Sequence, residues 1–334
     1  MSIPVGVIGS GSFGTCLAIL CARHGDVTLW SRNEDDAVAI NRDRRNPRYL
    51  SDAEIPDTIA ATSNLAEAVA NKELVICAVP SHAVREVMKL AAPHLGEGAI
   101  LLSAIKGIEY ESGMTMHEVL RDVLPKEHHA RIACLSGPSF ATEIAQHKPT
   151  VVTIACEDET YAISVQATLS CPWFRCYTST DVVGVELGGA IKNVIAIAVG
   201  MCDGQDAGHN SRAAIMTRGL AEITRLGVSM GADPTTFLGL SGMGDLVLTC
   251  TGDMSRNRRV GLGLGQGRSL DDILQEMGEV AEGVKTTHAV CRLAARLGVD
   301  MPMSNMVRGV LDGDLTPEQA GAQLMTRQLR SENG

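Results

Sequence analysis

Aromatic residues are scarce in this chain: two Trp, four Tyr and four Phe make up 3% of 334 residues, so Ala, Val, Ile, Leu and Met must fill the interior. There is no basic excess either. Lys and Arg number 29 against 39 Asp and Glu, a formal charge of −10, which excludes a binder of nucleic-acid backbone, because that function needs a basic face. An anionic substrate must then be drawn in by a local basic pocket working against the overall field. The ten cysteines, at 16, 21, 77, 134, 156, 171, 176, 202, 250 and 291, include no C-x-x-C pair and sit in apolar runs such as Leu74–Val79. They read as reduced core thiols rather than disulfides or metal ligands, and no metal is expected. Nowhere do 18 apolar residues run together, and Met1 leads straight into a strand-like Ile3–Ile8 without a basic n-region or apolar h-region. No membrane span and a cytoplasmic location are expected.

What is present suits a large folded enzyme. Hydrophobic residues are 45% and charged residues 20%, and the length exceeds what one core usually serves, so two domains are expected. Short β-branched runs at Val5–Ile8, Val27–Trp30, Leu74–Val79, Ile100–Ala104 and Ile132–Leu135 alternate with helix-period segments such as Ser12–Arg23 and Ser81–Ala92. That is a βαβ series, hence an α/β doubly wound parallel sheet of Rossmann type. Val151–Cys156 and Trp173–Tyr177 extend the strand pattern. Beyond Thr178-Ser179-Thr180-Asp181 the segments Val182–Met201, Ser211–Leu226, Leu270–Met277 and Thr286–Leu297 read as helices, with Asp181 as a candidate cap of the first. The boundary therefore falls between a dinucleotide-binding domain, 1–180, and an all-helical domain, 181–334. Gly261–Gly267, glycine-dense, reads as a helix end and turn.

Directly after the first strand comes Gly9-Ser10-Gly11-Ser12-Phe13-Gly14. By chance a G-x-G-x-x-G string arises roughly 0.3 times in a chain of this glycine content, so its context carries the weight. Here it lies between an apolar strand and an apolar helix, as a dinucleotide fingerprint requires: Gly9 for the turn, Gly11 for close approach of the pyrophosphate, Gly14 for helix–strand packing, and helix N–H groups for phosphate. An NAD-selective site would place Asp or Glu at the end of the second strand. This chain has Trp30-Ser31-Arg32-Asn33, and Arg32 can pair with a 2′-phosphate, which favours NADP; Glu34, Asp35 and Asp36 just beyond leave NAD open.

Moving a hydride at an alcohol carbon also requires moving the hydroxyl proton, so an acid–base group must stand near the nicotinamide. The nine histidines are scattered. Lys192 lies in an apolar, small-residue helix, Glu186–Val194, where desolvation lowers an ammonium pKa towards neutrality; a structural pair with Glu186 is the alternative. Lys106 follows the fourth predicted strand and Gly137-Pro138-Ser139 the fifth, both at the carboxyl edge of the sheet where α/β ligands bind. In the helical half, Ser255-Arg256-Asn257 opens a helix-like stretch and suits a phosphate clamp or a plain helix cap; Asp245 is similarly ambiguous.

Taken together, Gly9–Thr15, Ser103–Glu109, Leu135–Ala141, Glu186–Val194, Arg212–Gly227, Gly242–Thr251, Ser255–Asn257 and Gly278–Gly283 closely resemble the bacterial NAD(P)-dependent glycerol-3-phosphate dehydrogenases, in order along nearly the whole chain. The resemblance implies interconversion of sn-glycerol 3-phosphate and dihydroxyacetone phosphate for phospholipid synthesis. It implies dinucleotide contacts at Ser12, Phe13, Arg32, Lys106, Ala141, Arg256, Val280 and Glu282. It implies substrate contacts at Lys106, Gly137, Ser139, Lys192, Asp245, Ser255, Arg256 and Asn257, with Lys192 accepting the proton in alcohol oxidation. Cys16 and Ala104 depart from the family pattern without removing a functional group, and His209 stands in place of a small residue with no mechanistic reason in the sequence. Two rivals remain, an NADP-dependent hydroxy-acid reductase of related fold and a non-catalytic NADPH sensor, and a homodimer is the base-rate expectation.

Overall fold

The computed structural model describes residues 3–277, 281–329 and 331–332. Eight strands form one sheet: β1 Val5–Ile8, β2 Val27–Trp30, β3 Ile59–Thr62, β4 Leu74–Cys77, β5 Ile100–Ser103, β6 Ile132–Ser136, β7 Thr150–Cys156 and β8 Phe174–Ser179. Their order is β3-β2-β1-β4-β5-β6-β7-β8, so the chain reverses direction across the sheet between β1 and β4, the switch point at which a doubly wound sheet opens a ligand crevice. Every pair is parallel except β6–β7. The connection 137–149 carries only the five-residue helix Ala141–Ala145, too little for the usual crossover, and the strand returns antiparallel.

The sequence pattern misses β3. Ile-Ala-Ala-Thr holds little β-branched apolar content and alternates buried with exposed positions, as an edge strand does. The Asn41 side chain covers this edge by donating to Ala61 O and accepting from Ala61 N, both at 2.8 Å. The other predicted strands lie where the pattern puts them, within two residues at their ends.

No strand occurs past Ser179 among the described residues. Asp181 caps helix Val182–Gly204 by accepting from Gly184 N at 2.9 Å, and its other oxygen accepts from Thr236 Oγ1 at 2.6 Å. This helix is long and apolar enough to cross a membrane by length and composition, but 89% of its most apolar window is buried inside the molecule. It is a core helix: Leu187, Ile191, Val194 and Ile195 pack with Ile223, Leu226, Val260 and Val290 of the helices around it, a core separate from those on the two faces of the sheet.

Gly261 and Gly265 lie in the last turns of helix Arg256–Gly265, and Gly267 follows in a turn at a φ of +81°, the helix end and turn that the glycine-dense stretch predicts. The first two face Gly200 and Gly204, and a Cβ on Gly200 or Gly261 would stand 2.1 or 2.0 Å from a carbonyl oxygen of the opposite helix. Backbones this close leave no room for a side chain. All ten cysteines are unpaired, nine of them buried.

Candidate functional site

The nucleotide motif sits on the carboxyl edge at the switch point. Gly9 takes a φ of +115°, in the region that favours glycine, and a Cβ on Gly14 would stand 1.9 Å from Gly9 O. Gly11 differs. Its backbone is ordinary and extended, and a Cβ there would meet nothing within 4 Å. The chain itself therefore leaves open space beside Gly11, which fits a backbone meant to be approached by a ligand. Helix Ser12–Cys21 begins at Gly11 with no side-chain cap and no acidic residue in its first turn, so its N-terminal dipole is uncancelled and suits a pyrophosphate. Ser12 Oγ donates to Tyr49 O at 2.7 Å, and Phe13 packs half-buried on the sheet core. Asn46 braces the loop from outside, donating to Ser10 O at 2.7 Å and Thr15 Oγ1 at 2.8 Å.

Arg32 is exposed directly after β2. The acids beyond it have other duties. Glu34, Asp35 and Asp36 form the first turn of helix Glu34–Asp43, capped by Asn33, and Asp36 pairs with Arg48 at 3.1 Å. None of them belongs to the strand end where a ribose-binding carboxylate would stand.

Four polar side chains meet further along the same edge. Lys106 comes from the loop after β5, Lys192 from the long helix, and Asp245 and Thr249 from helix Asp245–Thr251. Lys106 Nζ donates to Asp245 Oδ2 at 2.7 Å and to Gly137 O at 3.1 Å. Lys192 Nζ donates to Asp245 Oδ1 and, at 2.8 Å, to Thr249 Oγ1. Asp245 is 1% exposed and Lys192 5%. Burial lowers the Lys192 pKa to about 7, helped by the Lys106 charge and opposed by Asp245. The alternative partner is elsewhere: Glu186 accepts from His117 N at 2.9 and 3.1 Å, at the start of helix Met116–Val123, so Lys192 does not serve it. Gly137 joins the cluster through its carbonyl, on which Ser139 Oγ also donates at 2.9 Å.

The Ser255–Asn257 turn opens helix Arg256–Gly265. Ser255 Oγ is its cap, accepting from Arg258 N at 3.3 Å. Asn257 is buried, its Oδ1 taken by Gly283 N at 3.0 Å. Arg256 is exposed at the helix N-terminus, so of these three residues it is the cation presented outward. Glu282 reaches the carboxyl edge from the helical half, accepting from Ser81 N at 3.2 Å and from Ser81 Oγ, just past β4. Ala141 begins the short helix after β6 and packs on the sheet core. Val280 lies outside the described residues. His209 is exposed at the start of helix Gly208–Ser229, and nothing in the structure explains it.

The chain matches the model of the NAD-dependent glycerol-3-phosphate dehydrogenase N-terminus over residues 4–162 and that of the C-terminus over residues 181–322. It belongs to the glycerol-3-phosphate dehydrogenase family. The glycerol-3-phosphate dehydrogenase [NAD(P)+] of Syntrophotalea carbinolica is 52% identical over 329 residues, 98% of this chain and 99% of that one. That of Myxococcus xanthus is 53% identical over 327 residues, 98% of each. The crystal structure of glycerol-3-phosphate dehydrogenase from Coxiella burnetii superposes with a TM-score of 0.92 at 37% identity, covering 98% of this chain and 99% of that one.

Reading the sequence of this family member overlooks Thr249, Ser81 and Asn46. Thr249 follows Asp245 by one helical turn, a spacing that puts both on one face and was available as a signal. Ser81 and Asn46 gain their roles from partners 201 and 36 residues away, and no local pattern marks them.

Proposed function

We propose that the chain interconverts sn-glycerol 3-phosphate and dihydroxyacetone phosphate, with domain 1–180 holding the nicotinamide dinucleotide and domain 181–334 the substrate, and that it supplies glycerol phosphate for phospholipid synthesis. The observation that carries the reading is the Lys106–Asp245–Lys192–Thr249 cluster beside the nucleotide edge, with all but the half-buried Lys106 buried. Gly9, Gly11, Ser12, Phe13 and Gly14 would hold the dinucleotide at its phosphates, with Arg32, Lys106, Ala141, Arg256, Val280 and Glu282 completing the contact. When bound, the dinucleotide gives or takes the hydride at the substrate's C2.

The chain's own work is to place and move the proton. A lysine whose pKa lies at about 7 is available both as ammonium donor and as neutral acceptor near neutrality, which suits a step that runs in both directions. Asp245 fixes the two ammonium groups relative to each other, Thr249 aims Lys192, and Lys106 adds positive charge where a carbonyl oxygen becomes an alkoxide. Arg256, backed by the N-terminus of its helix, takes the substrate's phosphate. Gly137, Ser139, Ser255 and Asn257 shape the walls.

Arg32 at the end of β2 supports NADPH over NADH. The test is the loss of nicotinamide absorbance with dihydroxyacetone phosphate and either reduced cofactor. Turnover should be high with dihydroxyacetone phosphate and low with 2-keto acids; the reverse order would indicate the hydroxy-acid reductase, and no turnover a sensor. Arg32→Asp should lower kcat/KM for NADPH far more than for NADH, and equal losses would remove Arg32 from cofactor choice.

A further inference from the structure

A second aspartate held between two cations sits near the far end of the helix that carries Lys192. Asp203 is the penultimate residue of helix Val182–Gly204, close to the negative end of the helix dipole, where a carboxylate is disfavoured. Two guanidinium groups hold it there. Arg212 donates to Oδ1 from Nε at 2.9 Å and from Nη2 at 2.6 Å. Arg258 donates to Oδ2 from Nε at 2.8 Å, with Nη2 also at 2.8 Å. The Asp203 side chain is 7% exposed and that of Arg258 15%.

Arg258 belongs to the turn that starts the clamp helix. Its backbone N–H donates to Ser255 Oγ, and its carbonyl lies so close to Gly200 that a Cβ there would stand 2.1 Å away. The long helix thus grips this turn twice, through backbone contact at Gly200 and through the fork from Asp203. Lys192 lies 11 residues before Asp203 on the same helix, about three turns or roughly 16 Å. One rigid element therefore carries both the proton-transfer lysine and the anchor of the phosphate-binding turn. Arg258 also pairs with Asp253 through Nη1 at 3.0 Å, so the two arginines are balanced by two aspartates and the fork acts on the turn by geometry.

We propose that Asp203, acting through Arg258, is a positioning residue that fixes the Ser255–Asn257 turn relative to Lys192 and so governs recognition of the substrate's phosphate. This rests on the clamp assigned to Arg256 above. The phosphate end of the substrate and its reacting carbonyl are then spaced by a single helix, and a shift of the turn misplaces one against the other.

The test compares dihydroxyacetone phosphate with unphosphorylated dihydroxyacetone. Asp203→Asn keeps shape but loses the anion, and should lower kcat/KM for dihydroxyacetone phosphate about 10- to 100-fold, mainly through KM. Turnover of dihydroxyacetone, which has no phosphate to place, should stay within about twofold of wild type. Arg258→Lys keeps the charge and loses the fork; it should reproduce the selective loss and carries the test if the Asp203 variant does not fold. A proportional fall with both substrates, or unchanged kinetics in both variants, overturns the positioning role. Arg256→Ala separates that failure from failure of the clamp: if it still discriminates between the two substrates, both readings fall, whereas if it loses discrimination while Asp203→Asn does not, only the role of Asp203 falls.

Discussion

Asp245 and Asp203 make the same arrangement twice. Each is an aspartate with a largely enclosed side chain bridging two cations drawn from different segments, one with Lys106 and Lys192, the other with Arg212 and Arg258. The difference lies in the cations. A guanidinium never releases its proton at working pH and offers a rigid fork, so the arginine centre can only hold parts in place. An ammonium on a flexible stem titrates when it is desolvated, and burial brings Lys192 to about 7. Charge geometry alone therefore does not mark a proton-transfer site; the chemistry of the cation decides, and in this chain it separates a centre with a lysine brought to about 7 from one whose arginines keep their protons.

Making the two centres alike is the sharpest way to break the comparison. Lys192→Arg turns the first into a copy of the second and should lose about as much kcat as Lys192→Ala, roughly 10²–10⁴-fold in both directions, while NADPH binding followed by fluorescence stays nearly intact. If arginine restores most of the activity, the role of Lys192 is electrostatic and the proton travels by another group, with Lys106 next in line.

A smaller effect is expected from removing the anion instead of the cation. Asp245 raises the Lys192 pKa against its burial, so in Asp245→Asn that pKa should fall below about 7. Carbonyl reduction needs the ammonium and is lost as pH rises through this value. The falling limb of kcat/KM against pH should accordingly move towards acid, by about one to three pH units. A move towards alkali would show that Asp245 does not hold Lys192 charged.

The smallest effect concerns burial without catalysis. Glu186, six residues before Lys192, is also pushed to about 7 by burial, yet it contacts the backbone of His117 and no cation of the site. A raised carboxyl pKa contributes stability that is full below about 4.5 and is lost as pH rises through about 7. In Glu186→Gln the melting temperature should lose this part of its pH dependence while the pH profile of turnover stays as in wild type. A displaced turnover profile would link Glu186 to the proton step.

Much of the site is local and therefore legible. The Gly9–Gly14 loop follows a strand and opens a helix, and both features are written in neighbouring residues. Lys192 stands out because an ammonium in Gly-Gly-Ala-Ile-Lys has no local reason to be there. The partner of Lys192 is not legible, since Glu186 is nearer in sequence while Asp245 is 53 residues away. The Ser255–Asn257 motif was visible as a unit, but its division of labour was not: Ser255 caps, Asn257 turns inward to Gly283, and Arg256 faces outward. The strand Ile59–Thr62 escaped because an edge strand with one exposed face needs no continuous apolar run.

By itself the sequence determined the elements and their class, because helix and strand periods and turn residues act over a few positions, and it determined which side chains bring chemistry. Tertiary structure alone decided the pairings. Gly261–Gly267 reads as a helix end and turn in one dimension, and only the crossing with Gly200 and Gly204 gives the reason why glycine stands at 261 and 265 of that helix. In the same way Asp203 and Asp245 are two aspartates of equal standing in the chain, and which of them receives lysines and which arginines depends on where distant helices meet, a matter of packing that no local pattern encodes.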